Sequence, residues 1–156
     1  MIIETSQLRQ SPRRYAGEDP ADILALDGDK LIRVESAVRY ALAAQRFSTE
    51  LLVCGSLEVD MCCRCARCGE FFAVTIREGN FTRSYPLNSD NELIDLTADI
   101  REAMLLLLPM NMVCSTSCKG LCVQCGANLN KAPCACAKPR QIIPWGMLDQ
   151  LKIERK

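Results

Sequence analysis

The sequence predicts an α+β fold: an antiparallel sheet or small open barrel, followed by a helix and a C-terminal cysteine-rich segment. Three patterns predict it. Between Lys30 and about Ser84, apolar residues alternate with polar ones at the period of two that a half-buried strand requires. From Leu96 to Leu107 they recur at three- and four-residue spacings, the period of a helix. From residue 110 onward neither period persists, and six cysteines fall within 23 residues. With 156 residues and 49% hydrophobic content, the chain can bury a core of its own. The body with its closing helix is placed at 1–109, and a basic cysteine-rich region with a short terminal helix at 110–156.

Residues 1–30 read as mixed. Ser11-Pro12-Arg13-Arg14 is a turn or loop, and Asp19 with Pro20 opens a short helix through Leu26. Asp27-Gly28-Asp29 is a turn. The first strand runs from Leu31 to Val38, with Ile32 and Val34 on one face and Arg33 and Glu35 on the other. Leu51–Met61 is the second, and Gly55 within it marks a bulge or sharp bend. Phe71–Arg77 is the third and Phe81–Leu87 the fourth. Asn88–Asn91 is a polar loop. Asp95 caps the helix, Leu96, Ile100, Ala103, Met104 and Leu107 form its stripe, the leucines at 105, 106 and 108 widen that stripe, and Pro109 closes it. Pro144, Trp145, Leu148 and Leu151 predict a short amphipathic helix at the end.

There are eleven cysteines and no histidine. Without histidine, neither a Ser-His nor a Cys-His catalytic pair can be assembled. Gly-rich phosphate loops and nucleophile motifs are absent as well, so the chain is expected not to be an enzyme and to take no small-molecule substrate. The start, Met1-Ile2-Ile3-Glu4, lacks the basic and apolar regions of a secretory signal. The longest apolar run, Ala103–Met110, is far short of the roughly 20 residues a membrane span needs. A reducing, cytoplasmic setting without membrane association is therefore expected, and there clustered thiols point to a metal rather than to disulfides.

Cys65-Ala66-Arg67-Cys68-Gly69 is a two-thiol chelating turn, with a glycine that lets the backbone fold back on the sulfurs. Strand-like sequence on both sides favours a metal knuckle on a hairpin over a redox pair at a helix start. Cys62 and Cys63 read as buried strand residues, small hydrophobes rather than ligands, and Cys54 still more as a core residue. The second cluster is denser: Cys114, Cys118, Cys122, Cys125-Gly126, Cys134 and Cys136. Four of these six suffice for one tetrahedral site, with Cys122 and Cys125 ranked first, then Cys118 and Cys136, then Cys134 and Cys114. With Cys65 and Cys68 there are eight, enough for two four-sulfur sites or for one ion shared between knuckles, and spacing does not choose. Closed all-cysteine sites suit zinc, and iron in principle. Zinc is the expected cofactor, with no open position for a substrate.

Net charge is zero but uneven. Residues 1–109 carry 12 basic and 17 acidic side chains, and residues 110–156 carry 7 and 2. The basic end suits an acidic partner such as nucleic acid. Arg64, Arg67, Lys119, Lys131, Lys138 and Arg140, with Lys152, Arg155 and Lys156, are the candidates for phosphate contact. Aromatic residues are only 5%, too few for a base-stacking platform.

Together these motifs resemble the YceD family, the large ribosomal RNA subunit accumulation proteins. The resemblance rests on Cys65-Ala66-Arg67-Cys68 before Gly69-Glu70-Phe71 and on Ile94-Asp95-Leu96 with Ile100-Arg101-Glu102 and Leu106-Leu107-Leu108-Pro109. It extends through Cys118-Lys119-Gly120-Leu121-Cys122, Cys125-Gly126-Ala127-Asn128-Leu129-Asn130, Cys134-Ala135-Cys136 and Pro144-Trp145, spanning roughly residues 50–151. Ile143-Pro144-Trp145 departs from the family's Asp-Pro-Arg, and Cys62 and Cys63 are extra to its pattern. The resemblance implies a role in building the large ribosomal subunit, with ribosomal RNA or a large-subunit ribosomal protein as partner. Two other readings compete: a zinc-stabilised protein-interaction module, and a thiol redox protein using Cys65 and Cys68.

Overall fold

A computed structural model describes residues 1–8, 11–89 and 91–136. The expected terminal helix, with Lys138, Arg140 and Trp145, lies outside the described residues. The long strand β5 (Glu50–Arg64) organises the body. Its odd-numbered side chains Leu51, Val53, Leu57, Val59, Met61 and Cys63 are wholly buried, as strand alternation over one core face requires. Along one edge of β5 runs β6 (Phe71–Pro86), antiparallel over its full length. Along the other edge lie β4 (Val38–Arg46), against the first half of β5, and β3 (Ile32–Val34), against the second. The strand β2 (Arg13–Asp19) pairs with β4 at the sheet edge. A separate ribbon joins β1 (Ile2–Glu4) to β7 (Leu93–Asp95). Both sheets are antiparallel and open, and no barrel closes among the described residues.

Several expectations about elements are corrected. Phe71–Arg77 and Phe81–Leu87 are one strand. From Gly55 to Leu57 the chain of β5 advances two residues while its partners on β6 step three, from Phe81 to Glu78. This bulge reverses the inward phase of β6. Phe72, Val74 and Ile76 face the core before it, and Phe81 and Tyr85 after it, so one strand carries two phases. Conversely, the expected strand Leu31–Val38 is broken at residues 35–37. There the register against β5 slips by two, and the Ser36 hydroxyl accepts the Asp60 amide at 3.0 Å. The turn expected at Arg13-Arg14 begins β2 instead, because its ladder to β4 supplies what its polar side chains do not. Gly17 leaves room there for Tyr40, whose Oη lies 2.6 Å from where a Cβ would stand. The predicted helix at residues 20–26 is a single 3-10 turn, Ala21–Leu24.

The helix α1 (Thr97–Leu106) buries Ile100, Ala103 and Met104 beside Leu96. The N-cap position is Leu96, one residue later than expected and without a side-chain cap; Asp95 Oδ1 instead accepts the Thr97 amide at 2.9 Å and the Thr97 hydroxyl at 2.6 Å, which holds the Asp95 carboxyl below its ordinary range. The stripe ends a turn early. Leu106 is 75% exposed, and Leu107 lies beyond the helix end rather than in the core. The N-terminus is tied to this region. Its ammonium donates to Asp19 Oδ2 at 2.7 Å and Thr97 Oγ1 at 3.1 Å, and buried Thr5 exchanges bonds with Glu92.

Candidate metal centres

The β5–β6 connection is the Cys65-x-x-Cys68-Gly69 turn, so a two-thiol knuckle caps the longest hairpin of the body. The backbone explains its shape. Gly69, at φ 73°, donates its amide to the Cys65 carbonyl at 2.9 Å, and the Cys65 amide donates to the Glu70 carbonyl at 2.8 Å. The second knuckle repeats this pattern. Gly126, also at φ 73°, donates to Cys122 at 2.9 Å, and Cys122 donates to Ala127 at 2.8 Å. A glycine in fifth place is what this left-handed turn needs.

The chain after α1 returns to the first knuckle. Ala66 donates to the Met112 carbonyl at 2.8 Å and Leu121 to the Arg67 carbonyl at 3.0 Å. This brings Cys114 and Cys118 against Cys65 and Cys68. The Cys65 and Cys118 sulfurs are 3.9 Å apart, and those of Cys68 and Cys114 are 3.8 Å apart. A tetrahedron with metal–sulfur bonds of about 2.3 Å has edges of about 3.8 Å, whereas a disulfide would need sulfurs at about 2.05 Å. Cys65, Cys68 and Cys118 are buried. The remaining four, Cys122, Cys125, Cys134 and Cys136, form a second and more exposed group, and in each group all sulfurs lie within 4.8 Å of one another. All eight sequence-predicted ligands are thus gathered, but Cys118 stands with the first knuckle and Cys134 with the second. The preferred quartet Cys122, Cys125, Cys118 and Cys136 is not assembled.

Electrostatics divides each group. Backbone amides of Cys114, Cys68 and Arg67 directed at Cys65 bring its thiol down to about 6, and those of Cys125 and Gln124 do the same for Cys122. Cys118 is lowered chiefly by the Asn130 carboxamide. Cys114, facing Cys118, and Cys136, facing Cys125, are pushed up to about 12 by sharing a site with neighbouring sulfurs. These directions predict a proton count. Binding a metal ionises all four thiols of a group, and the amides directed at Cys65 and Cys122 already favour the thiolate at those two. A metal ion taken up there should release about three protons or fewer per group rather than four. Calorimetry in buffers of different ionisation enthalpy measures the number, and a count of four per ion would contradict these environments.

Of the four cations expected at phosphate that lie among the described residues, three are occupied. Arg64 Nε donates to the Gly69 carbonyl at 2.9 Å, and Arg67 Nη1 to the Thr116 and Cys118 carbonyls, both at 3.2 Å. Lys131 pairs with Glu70 at 2.6 Å. Lys119 is exposed and has no ion pair among the described residues. Sequence reasoning passed over Asn128, Asn130 and Glu70. Asn130 Nδ2 donates to Cys118 Sγ at 3.2 Å, and its Oδ1 accepts the Lys119 amide at 2.8 Å. The signal was there, an amide side chain between two cysteine pairs, but it read only as spacer. Cys63 is buried as expected, while Cys54 and Cys62 are half-buried on the opposite face of β5.

Fold and site define a sheet-rich chain whose hairpin tip and C-terminal segment build two four-cysteine groups of metal-site geometry. In comparison with known proteins, residues 84–152 match the family model described as Large ribosomal RNA subunit accumulation protein YceD. The family this sequence resembles and the family whose model matches are the same. The match includes the cysteines from Cys114 to Cys136, while the first knuckle lies before it. A protein of Arabidopsis thaliana named Large ribosomal RNA subunit accumulation protein YCED homolog 1, chloroplastic, is 37% identical over 59 residues, covering 38% of this chain and 18% of that protein. The protein of the same name from Zea mays is 43% identical over 49 residues, covering 31% and 17%. The chain therefore matches less than a fifth of the length of these curated relatives. No solved structure matches it. No described helix is long and apolar enough to cross a membrane.

Proposed function

We propose that this chain is a non-enzymatic, zinc-binding factor in large ribosomal subunit biogenesis, working in the cytoplasm and supporting ribosomal RNA accumulation by binding RNA. The observation that carries the reading is that the family match falls on the segment whose cysteines gather into four-sulfur groups. Division at residue 109 follows: a sheet-rich body presents the first knuckle, and the segment beyond it is shaped by metal. Four thiolates on Zn²⁺ leave each group with a net charge of −2. Arg64, Arg67, Lys119 and Lys131 offset these charges, so the metal-loaded head is close to neutral. The attraction for phosphate then falls mainly to residues 137–156, which carry five basic and two acidic side chains.

Binding to large-subunit RNA should weaken steeply with salt, the slope of log K against log salt being about −0.7 to −0.9 per phosphate neutralised. Replacing Lys138 and Arg140 with glutamine should cut that slope by roughly one unit each. Filter binding across a salt series reads both numbers. Affinity that is indifferent to salt would end the RNA reading.

A second reading has its own support. A groove of about 370 Å³ beside the first knuckle is floored by Leu31, Ile32, Pro109, Met110 and Met112, and Met110 is fully exposed. Such an apolar surface suits a ribosomal protein, and association that survives nuclease treatment would favour it. The redox alternative predicts a mixed disulfide trapped through Cys65 or Cys68.

A further inference from the structure

We propose that the two cysteine groups are energetically coupled, and that the Asn130 carboxamide is the positioning group through which metal in the outer group tightens metal binding in the inner one. This rests on the zinc reading above. The inner group, Cys65, Cys68, Cys114 and Cys118, draws two ligands from the hairpin of the body and is largely buried. The outer group, Cys122, Cys125, Cys134 and Cys136, draws all four from its own segment and has no buried member. Its frame must therefore be set by whatever else holds that segment.

The turn from Asn128 to Lys131 lies inside the loop that an ion on Cys125 and Cys134 would close. This turn reaches the inner group at three points. Asn130 Nδ2 donates to the Cys118 sulfur at 3.2 Å while its Oδ1 accepts the Lys119 amide at 2.8 Å, so one side chain holds the ligand's sulfur and the amide of the residue after it. The Leu129 amide donates to the Gly120 carbonyl at 2.9 Å. Lys131 Nζ and Asn128 Nδ2 both donate to Glu70 Oε1, at 2.6 and 3.4 Å, two residues past Cys68. Asn130 is itself aimed by Asn128, whose Oδ1 accepts the Asn130 amide at 3.0 Å and Nδ2 at 3.1 Å.

An ion in the outer group fixes the loop from which these contacts spring, so the ordering cost of the Asn130 contact is already met when the inner ion binds. Contacts of this outer kind typically change metal affinity 10- to 100-fold, and coupling between binding sites is reciprocal. Repulsion between two centres of charge −2 acts in the opposite direction, so the sign of the coupling is itself a test.

The experiment uses the full reduced chain, with chelator competition for zinc affinity and cadmium-113 resonances to report each group separately. The unmodified chain should bind two ions. Replacing Cys122 and Cys125 with serine should leave one ion, held about tenfold or more weakly. Asn130→Ala should keep both ions, weaken the inner one comparably, and shift the inner resonance while the outer stays in place, which general loosening of the fold would not do. Glu70→Gln, which leaves every cysteine and Asn130 intact, should weaken the inner ion in the same direction by less. Unchanged or increased inner affinity in these variants overturns the coupling while leaving the metal reading intact. An unmodified chain that binds no ion overturns both.

Discussion

Stripping metal from the reduced protein with a strong chelator is expected to unravel residues 110–136 and to leave the sheet and α1 folded. Within that segment only Cys118 and Gly120 are buried, so there is almost no apolar core to hold it. Its backbone bonds to the body, such as Leu121 to Arg67, are few, and each contributes roughly 1 kcal/mol net. Apparent binding energies of structural zinc in zinc-finger peptides are about 10–16 kcal/mol, and in such sites the binding energy is folding energy. The inner group also joins residues 46 apart in sequence, Cys68 and Cys114, and so closes a long loop. Hydrogen exchange should show loss of protection at the Leu121 and Leu129 amides with none at Leu42 or Val53, and trypsin should cut faster after Lys119 and Lys131. Global unfolding on chelation, or no change anywhere, would contradict this division of labour.

Gly55→Ala is expected to destabilise the body by about 3 kcal/mol, the range of strained backbone plus overpacking. At Gly55 (φ 156°) a Cβ would stand 2.1 Å from the Ala41 carbonyl oxygen and 2.8 Å from Leu42 Cα. Both obstacles are backbone of the neighbouring strand, which cannot swing aside as a side chain would. The site also faces the bulge between β5 and β6, so a shift there disturbs two ladders at once. Gly79→Ala, where a Cβ would meet nothing within 4 Å, is the control and should change stability by less than about 0.5 kcal/mol. Urea unfolding with an unchanged m-value would place the loss in the folded state. Similar midpoints for the two variants would mean that β4 does not approach Gly55 as described.

What the sequence determined by itself was local. Each Cys-x-x-Cys-Gly turn needs only its own five residues, with glycine supplying the left-handed conformation, so both knuckles could be read from spacing. The face of α1 was readable as far as Met104, because burial on one side imposes a fixed period. What only the tertiary structure decided was pairing at a distance. β2 and β1 are strands because of their ladders to β4 and β7, and nothing in their side chains announces it. The bulge joins two phases of β6 that look like two strands, since periodicity records which way residues face and not whether the chain is continuous. The sharing of eight cysteines between two groups is of the same kind. Spacing alone admits several quartets, and the choice falls to the backbone bonds from Ala66 to Met112 and from Leu121 to Arg67, which bring Cys114 and Cys118 to the hairpin tip and leave Cys134 and Cys136 for the second knuckle.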